Sequence, residues 1–164
     1  RLTEKVVEAA FAAGDKKLYK DASDRFLRLI LLQDELLATR PEFKVGTWIA
    51  RARSLGGTPE EKELYEWNAR VQITTWGNRL AADEGGLRDY AHREWNGILK
   101  DFYYMRWKAW FDYQTQLLDG KKPVAIDFYA IEEPWTKATN VYSSEPEGDC
   151  IPTVKRIFVE IFGK

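Results

Sequence analysis

The spacing of apolar residues restricts this chain more than any other feature. Leu18, Ala22, Phe26, Leu29, Ile30, Leu36 and Leu37, with Gln33 in register, recur at three- and four-residue steps. That spacing aligns one face of an α-helix. The same period returns along most of the chain and is interrupted by residues that break helices. Leu2, Val6 and Ala9-Ala10 form a first stripe that stops at Gly14-Asp15. The Leu18–Leu37 stripe stops at Arg40-Pro41, because the residue before a proline is pushed out of the helical region. Thr47 to Leu55 reads as a short helix closed by Gly56-Gly57.

Thr58-Pro59-Glu60-Glu61 is a start signal: Thr58 can cap, Pro59 suits the first helical position, and Glu61 can complete a capping box. The helix it opens is predicted to reach about Trp76. Gly85-Gly86 and Gly120 frame the longest prediction, Leu87 to about Asp119, which at about 33 residues would span roughly 50 Å. Its apolar residues, among them Ala91, Trp95, Ile98, Phe102, Met105, Ala109 and Leu117, cover several sides, so it should be buried on several sides. Asp127 can cap a helix through Ala138, interrupted by Pro134. Ser143 to Gly148 reads as a loop. Pro152 to Phe162 is amphipathic, with strand character at Ile157 to Ile161. The expected fold is all-α, an irregular helical bundle around one long central helix, Leu87 to about Asp119.

At 164 residues the chain fits one domain. A net charge of −1 provides no clustered basic footprint for nucleic acid. No apolar run approaches the roughly 20 residues of a membrane span. One cysteine, Cys150, and one histidine, His92, argue against a disulfide, a Cys- or His-based metal centre and a histidine triad. His92 is expected mid-helix and partly exposed. No glycine-rich phosphate loop is present, so neither cofactor nor metal is expected. The chain opens at Arg1 without a signal-like segment and is expected to be a fragment of a larger multidomain protein.

The aromatics carry what remains: 7 Trp, 8 Tyr and 8 Phe, 14% of the chain. They concentrate, with arginines, between Asn68 and Trp107. Trp95, Phe102 and Trp110 have core spacing. Trp76, at a predicted helix end before Gly77, is as well placed for a ligand as for the core. Sugar rings stack their apolar faces on indole and phenol, and their hydroxyls bond to amides and guanidinium groups. Trp76, Tyr90, Asn68 and Arg70 have that chemistry.

These residues also carry a resemblance. Leu36-Leu37-Ala38-Thr39, Gly46-Thr47-Trp48-Ile49, Asn68-Ala69-Arg70, Gln72-Ile73-Thr74 with Trp76-Gly77, Asp89-Tyr90-Ala91, Trp95-Asn96-Gly97, Phe102-Tyr103, Arg106-Trp107 and Lys155-Arg156-Ile157-Phe158 together resemble the C-terminal region of alpha-N-acetylglucosaminidases, glycoside hydrolase family 89. The resemblance implies a parent with a small N-terminal domain, a central (β/α)8 barrel and an all-α C-terminal domain. It implies retaining, exo-acting removal of terminal alpha-linked N-acetylglucosamine from glycans such as heparan sulfate. The catalytic glutamates would belong to the barrel, and no carboxylate of this chain matches them. The helical domain would pack on the barrel and complete its pocket, with Trp76 facing the sugar and Tyr90, Asn68 and Arg70 as further substrate-binding candidates. The implied partners are the barrel and a GlcNAc-terminated glycan, with no nucleic acid or membrane. The parent is expected to be exported in bacteria or lysosomal in animals. The competing reading is a protein-interaction helical module without sugar contact. Either way, an apolar, aromatic-bearing surface patch is expected where the barrel would dock.

Overall fold

The computed structural model describes residues 2–163, with the side chain of Leu2 outside the described residues. It is all-α. Helices α1 (Leu2–Ala13) and α2 (Lys16–Ala38) form a hairpin. Gly14 turns it at φ 67°, and Asp15 caps α2 by accepting the Leu18 N–H at 2.9 Å. A 3₁₀ turn, Pro41–Phe43, leads to a second hairpin of α3 (Val45–Ser54) and α4 (Pro59–Gln72). The predicted capping box is present: Thr58 Oγ1 accepts the Glu61 N–H, and Glu61 Oε2 accepts the Thr58 N–H, both at 3.2 Å. A π-helical turn at Leu99–Tyr103 runs directly into α5 (Tyr104–Leu118), and α6 (Phe128–Thr136) and α7 (Cys150–Phe162) follow. Asp127 caps α6 through the Ala130 N–H at 3.0 Å. Among the described residues extended pairing is limited to one isolated parallel bridge, Lys44 with Asn96.

The long central helix is there, but it begins at Ile98 and not at Leu87. Residues 87–97 are turns and irregular chain, so His92 lies in a loop rather than mid-helix. The start is set from a distance. Asp34 of α2 is buried, and its carboxylate accepts the Gly97 N–H at 2.7 Å, the Lys100 N–H at 3.2 Å and the Asn96 amide at 2.7 Å. It acts as an N-cap supplied by another helix. Gly97 adopts φ 93°, where a Cβ would also lie 2.7 Å from Val45 Cγ1. One further boundary differs from expectation: helix α4 stops at Gln72, four residues before Trp76. Helix α7 forms as its amphipathic pattern predicts, and Ile157 to Ile161 are helical within it.

Two clusters make the core. One joins Val45 and Ile49 of α3 to Ile73, Ile98, Phe102 and Trp135. The other packs Val7 and Ala10 of α1 and Tyr19 and Ala22 of α2 against Phe111 of α5. Gly46 admits the chain after α6: a Cβ there would stand 2.3 Å from the Ser143 carbonyl oxygen. Phe102 is buried as expected and Trp95 partly so, but Trp110 is exposed and lies stacked on Tyr113 at 5.8 Å. Met105 and Leu117 are exposed as well, so the central helix is enclosed on fewer sides than its composition predicts. Helix α7 buries only Ile157. Its Phe158 and Phe162 are 61% and 66% exposed. Polar contacts fasten α7 to α2: Arg28 Nε to Glu160 Oε1 at 2.6 Å, Arg156 to Glu35, and Arg25 to the Ile161 carbonyl at 3.0 Å.

Candidate functional site

The site grows from the end of α4. After Gln72 the chain makes a buried turn through Ile73, Thr74 and Thr75. Trp76 then swings into the left-handed region at φ 62°, and its N–H closes on the Val71 carbonyl at 2.8 Å. Helices commonly end with one left-handed residue, but glycine usually occupies it. An indole there carries a steric cost of roughly 1–2 kcal/mol, and the surroundings must hold it in place.

The loop after Gly85-Gly86 supplies part of that hold. The Asp89 N–H bonds to the Thr74 carbonyl at 2.9 Å. Asp89 is itself left-handed, at φ 60°, a conformation that Asp tolerates better than most residues. This tie brings Tyr90 against Trp76, with ring centroids 5.2 Å apart and planes at 55°. Trp76 is partly buried, whereas Tyr90 is 73% exposed. Trp76 and Asp89 are the two non-glycine residues with positive φ among those described.

The Asp89 carboxylate is gripped from the central helix. Tyr103 Oη donates to Oδ1 at 3.1 Å, and Arg106 Nη1 donates to Oδ2. Arg106 also lies 2.9 Å, by Nε, from Oε1 of Glu132 on α6. That contact is an ion pair without hydrogen-bond alignment, so Glu132 Oε1 has no hydrogen-bond partner. Arg88, just before Asp89, donates to Glu132 Oε2 and to Asp83. The Glu132 side chain is 0% exposed. Burial pushes its carboxyl above the usual range, and Arg88 and Arg106 oppose the shift. Burial, then the Asp89 charge, likewise push the Tyr103 phenol up, so it remains a protonated donor.

Two clefts flank this construction. One, of about 790 Å³, is lined by Trp76 together with Trp48, Tyr65, Asn68 and Gln72. The other, of about 890 Å³, is lined by Asp89, His92, Tyr103, Arg106, Phe26 and Trp107. The structure therefore brings Trp76 together with Tyr90 by ring contact and with Asn68 by a shared cleft.

Arg70 does not join them. It is 0% exposed. Its guanidinium donates to Glu66 Oε1 at 2.9 and 2.7 Å and to the Asn140 carbonyl at 2.8 Å, and lies 4.9 Å from the Trp135 ring. With its donors committed inside the fold, Arg70 presents nothing to a ligand, which corrects its place among the sugar-binding candidates. Reading the residues in order passed over Asp89, Arg106, Glu132, Trp48 and Tyr65 as site components. The available signal was that Asp89 and Arg106 stand in the same aromatic-rich stretch as Trp76 and Tyr90. The carboxylates Asp83, Asp89 and Glu132 are each held by an arginine. Among the described residues no cluster of His, Cys, Asp and Glu is arranged to hold a metal, and no helix is long and apolar enough to cross a membrane.

Residues 1–160 match the family described as Alpha-N-acetylglucosaminidase (NAGLU) C-terminal domain. The chain belongs to this family. Human alpha-N-acetylglucosaminidase is 28% identical over 134 residues, which are 79% of this chain and 17% of that protein. The family 89 glycoside hydrolase of Clostridium perfringens, solved with 2-acetamido-1,2-dideoxynojirmycin, superposes with a TM-score of 0.89 at 38% identity, over 96% of this chain and 19% of that one. A form of the Clostridium perfringens protein with two Glu→Gln substitutions, solved with its substrate GlcNAc-alpha-1,4-galactose, gives 0.88 at 37% identity over the same shares. The chain thus spans less than a fifth of the length of these relatives. It corresponds to the C-terminal helical region of an alpha-N-acetylglucosaminidase.

Proposed function

We propose that this helical domain packs on the catalytic (β/α)8 barrel of a larger parent, an exo-acting, retaining alpha-N-acetylglucosaminidase, and completes its substrate pocket with the Trp76–Tyr90 pair. The single observation that carries the reading is Trp76 itself. An indole is kept in a left-handed turn, against local preference, with its ring partly open and backed by an exposed tyrosine. Backbone strain of this kind clusters at functional sites. Trp76, with Tyr90 tilted against it at 55°, offers an apolar ring face suited to the face or acetamido group of a terminal N-acetylglucosamine, and Asn68 lies along the cleft that Trp76 lines. Retaining hydrolysis needs two carboxyl groups about 5–5.5 Å apart, one a nucleophile and one an acid/base. The carboxylates beside Trp76 and Tyr90, Asp83, Asp89 and Glu132, are held by arginines, and the resemblance to family 89 implies that the catalytic pair belongs to the barrel.

The test is Trp76→Ala in the full-length parent. Loss of the stacking surface should lower kcat/KM on an alpha-N-acetylglucosaminide by about 5- to 150-fold, equivalent to about 1–3 kcal/mol of transition-state binding. The melting temperature should fall less than for a core tryptophan, whose truncation costs about 3–5 kcal/mol. Unchanged kcat/KM per folded molecule would remove Trp76 from the site. The 164-residue chain alone should not turn over a chromogenic alpha-N-acetylglucosaminide.

A further inference from the structure

Trp76 and Asp89 share an unfavourable backbone conformation, and one hydrogen bond, Asp89 N–H to Thr74 O at 2.9 Å, links their two turns. The Asp89 side chain points the other way, into Tyr103 and Arg106. Arg106 is braced in turn by Glu132, which also receives Arg88 from the residue preceding Asp89. A turn held at the backbone by the turn after α4 and at the side chain by the central helix and α6 has little freedom. The residue it positions is the next one, Tyr90, whose ring rests on Trp76. Tyr90 is itself 73% exposed, so little besides Trp76 and this turn fixes its direction.

We infer that Asp89 is a positioning residue for substrate recognition: its carboxylate, clamped between Tyr103 and Arg106 and braced by buried Glu132, holds the left-handed turn that sets Tyr90 against Trp76. This rests on the proposed pocket role of that aromatic pair. The clamp fixes geometry and never touches the sugar. Its cost is concentrated in Glu132, an acid sealed from water with one oxygen lacking a hydrogen bond. A core side chain of similar volume would remove that cost, but it would leave Arg88 and Arg106 without their common anchor.

A double-mutant cycle in the full-length parent tests this, with kcat and KM measured separately, well below each variant's melting temperature. Asp89→Gly suits the φ of 60° and removes the clamp while freeing the turn's backbone. It should lower kcat/KM by roughly 5- to 50-fold. Asp89→Asn keeps an acceptor for Tyr103 and gives up the charge pair with Arg106, so it should recover part of the loss. In a Trp76→Ala, Tyr90→Ala background, Asp89→Gly should cost less than about 2-fold more, because nothing remains to be positioned. A further loss of full size in that background overturns the inference and assigns Asp89 to the fold or to direct substrate contact. Full activity of Asp89→Gly alone also overturns it. Loss of activity in the aromatic double variant but not in Asp89→Gly leaves the pocket reading intact. Full activity of the aromatic double variant refutes the pocket reading and, with it, this inference.

Discussion

Replacing Asp34 with alanine should destabilise the chain through a helix to which Asp34 does not belong. Its carboxylate serves Gly97, Lys100 and the Asn96 amide, and so closes the N-terminus of the central helix from α2. A buried donor left without an acceptor costs about 1–3 kcal/mol, and hydrogen bonds to charged groups contribute about 1.5–3 kcal/mol each. The Gly97 N–H is buried and would be stranded, whereas Lys100 and Asn96 are more open and can recover water. One full loss, two partial losses and the returned desolvation of the carboxylate leave about 2–4 kcal/mol. For a chain of this size that lowers the melting temperature by about 4–16 °C. Asp34→Asn keeps a carbonyl for the two backbone donors but turns an amide toward that of Asn96, and should cost about 1–2 kcal/mol. The pH dependence has a definite sign. Burial raises the folded-state carboxyl above its ordinary 3.8, outweighing the bonds from Gly97, Lys100 and Asn96. The folded state therefore holds that proton more tightly than the unfolded chain. This contribution is present below 3.8 and is lost as pH rises toward the raised folded value. The gap between parent and Asp34→Ala should narrow over that interval. Thermal melts of both proteins, with hydrogen exchange at Gly97 and Lys100, decide the matter. An alanine variant melting within about 1 °C of the parent, with both amides still protected, would refute the argument.

Two other outcomes follow from buried or bridging charges. Arg70→Ala should cost about 3–5 kcal/mol in a urea titration, since it strands Glu66 in a mostly buried site; a neutral result would mean that Glu66 is satisfied by Arg53 alone. Helix α7 should loosen first on acidification. The Glu160 carboxyl lies below its ordinary 4.5, chiefly through its hydrogen bond to Arg28. Its contribution is therefore complete above 4.5 and is lost as pH falls through the depressed folded value. Hydrogen exchange on a pH series should show α7 amides opening before those of α2, and simultaneous opening would contradict the ion-pair attachment.

Much of this fold is written in local chemistry. Asp15, Thr58 and Asp127 cap the helices they precede, and Gly14 and Gly120 stop those they follow, because capping and chain reversal need only a few neighbouring residues. The start of the central helix was not legible in the same way. The pattern from Leu87 onward is apolar enough for a helix, yet the decisive bonds come from Asp34, more than sixty residues earlier. Arg70 misleads for a related reason. An arginine near an aromatic-rich helix end has the chemistry of a sugar ligand, and only the tertiary fold shows that Glu66, Asn140 and Trp135 have already used its donors and its face.

The candidate site lies where local preference and final structure disagree most. Trp76 and Asp89 occupy backbone positions that short-range rules assign to glycine, so a reading by propensity extends α4 through the first and a long helix through the second. Both conformations persist because separate elements hold them: α4 and the turn after it through the Val71 and Thr74 carbonyls, the central helix through Tyr103 and Arg106, and α6 through Glu132. The same distinction applies to the apolar surface. Periodicity identifies a face, whereas whatever covers that face lies elsewhere in the chain or beyond it, which is why Trp110 reads as core and stands exposed. A domain that completes a pocket built mainly by another part of its protein would have this form. Its interior is locally legible, and its working edge is held against local preference by ties from several helices at once.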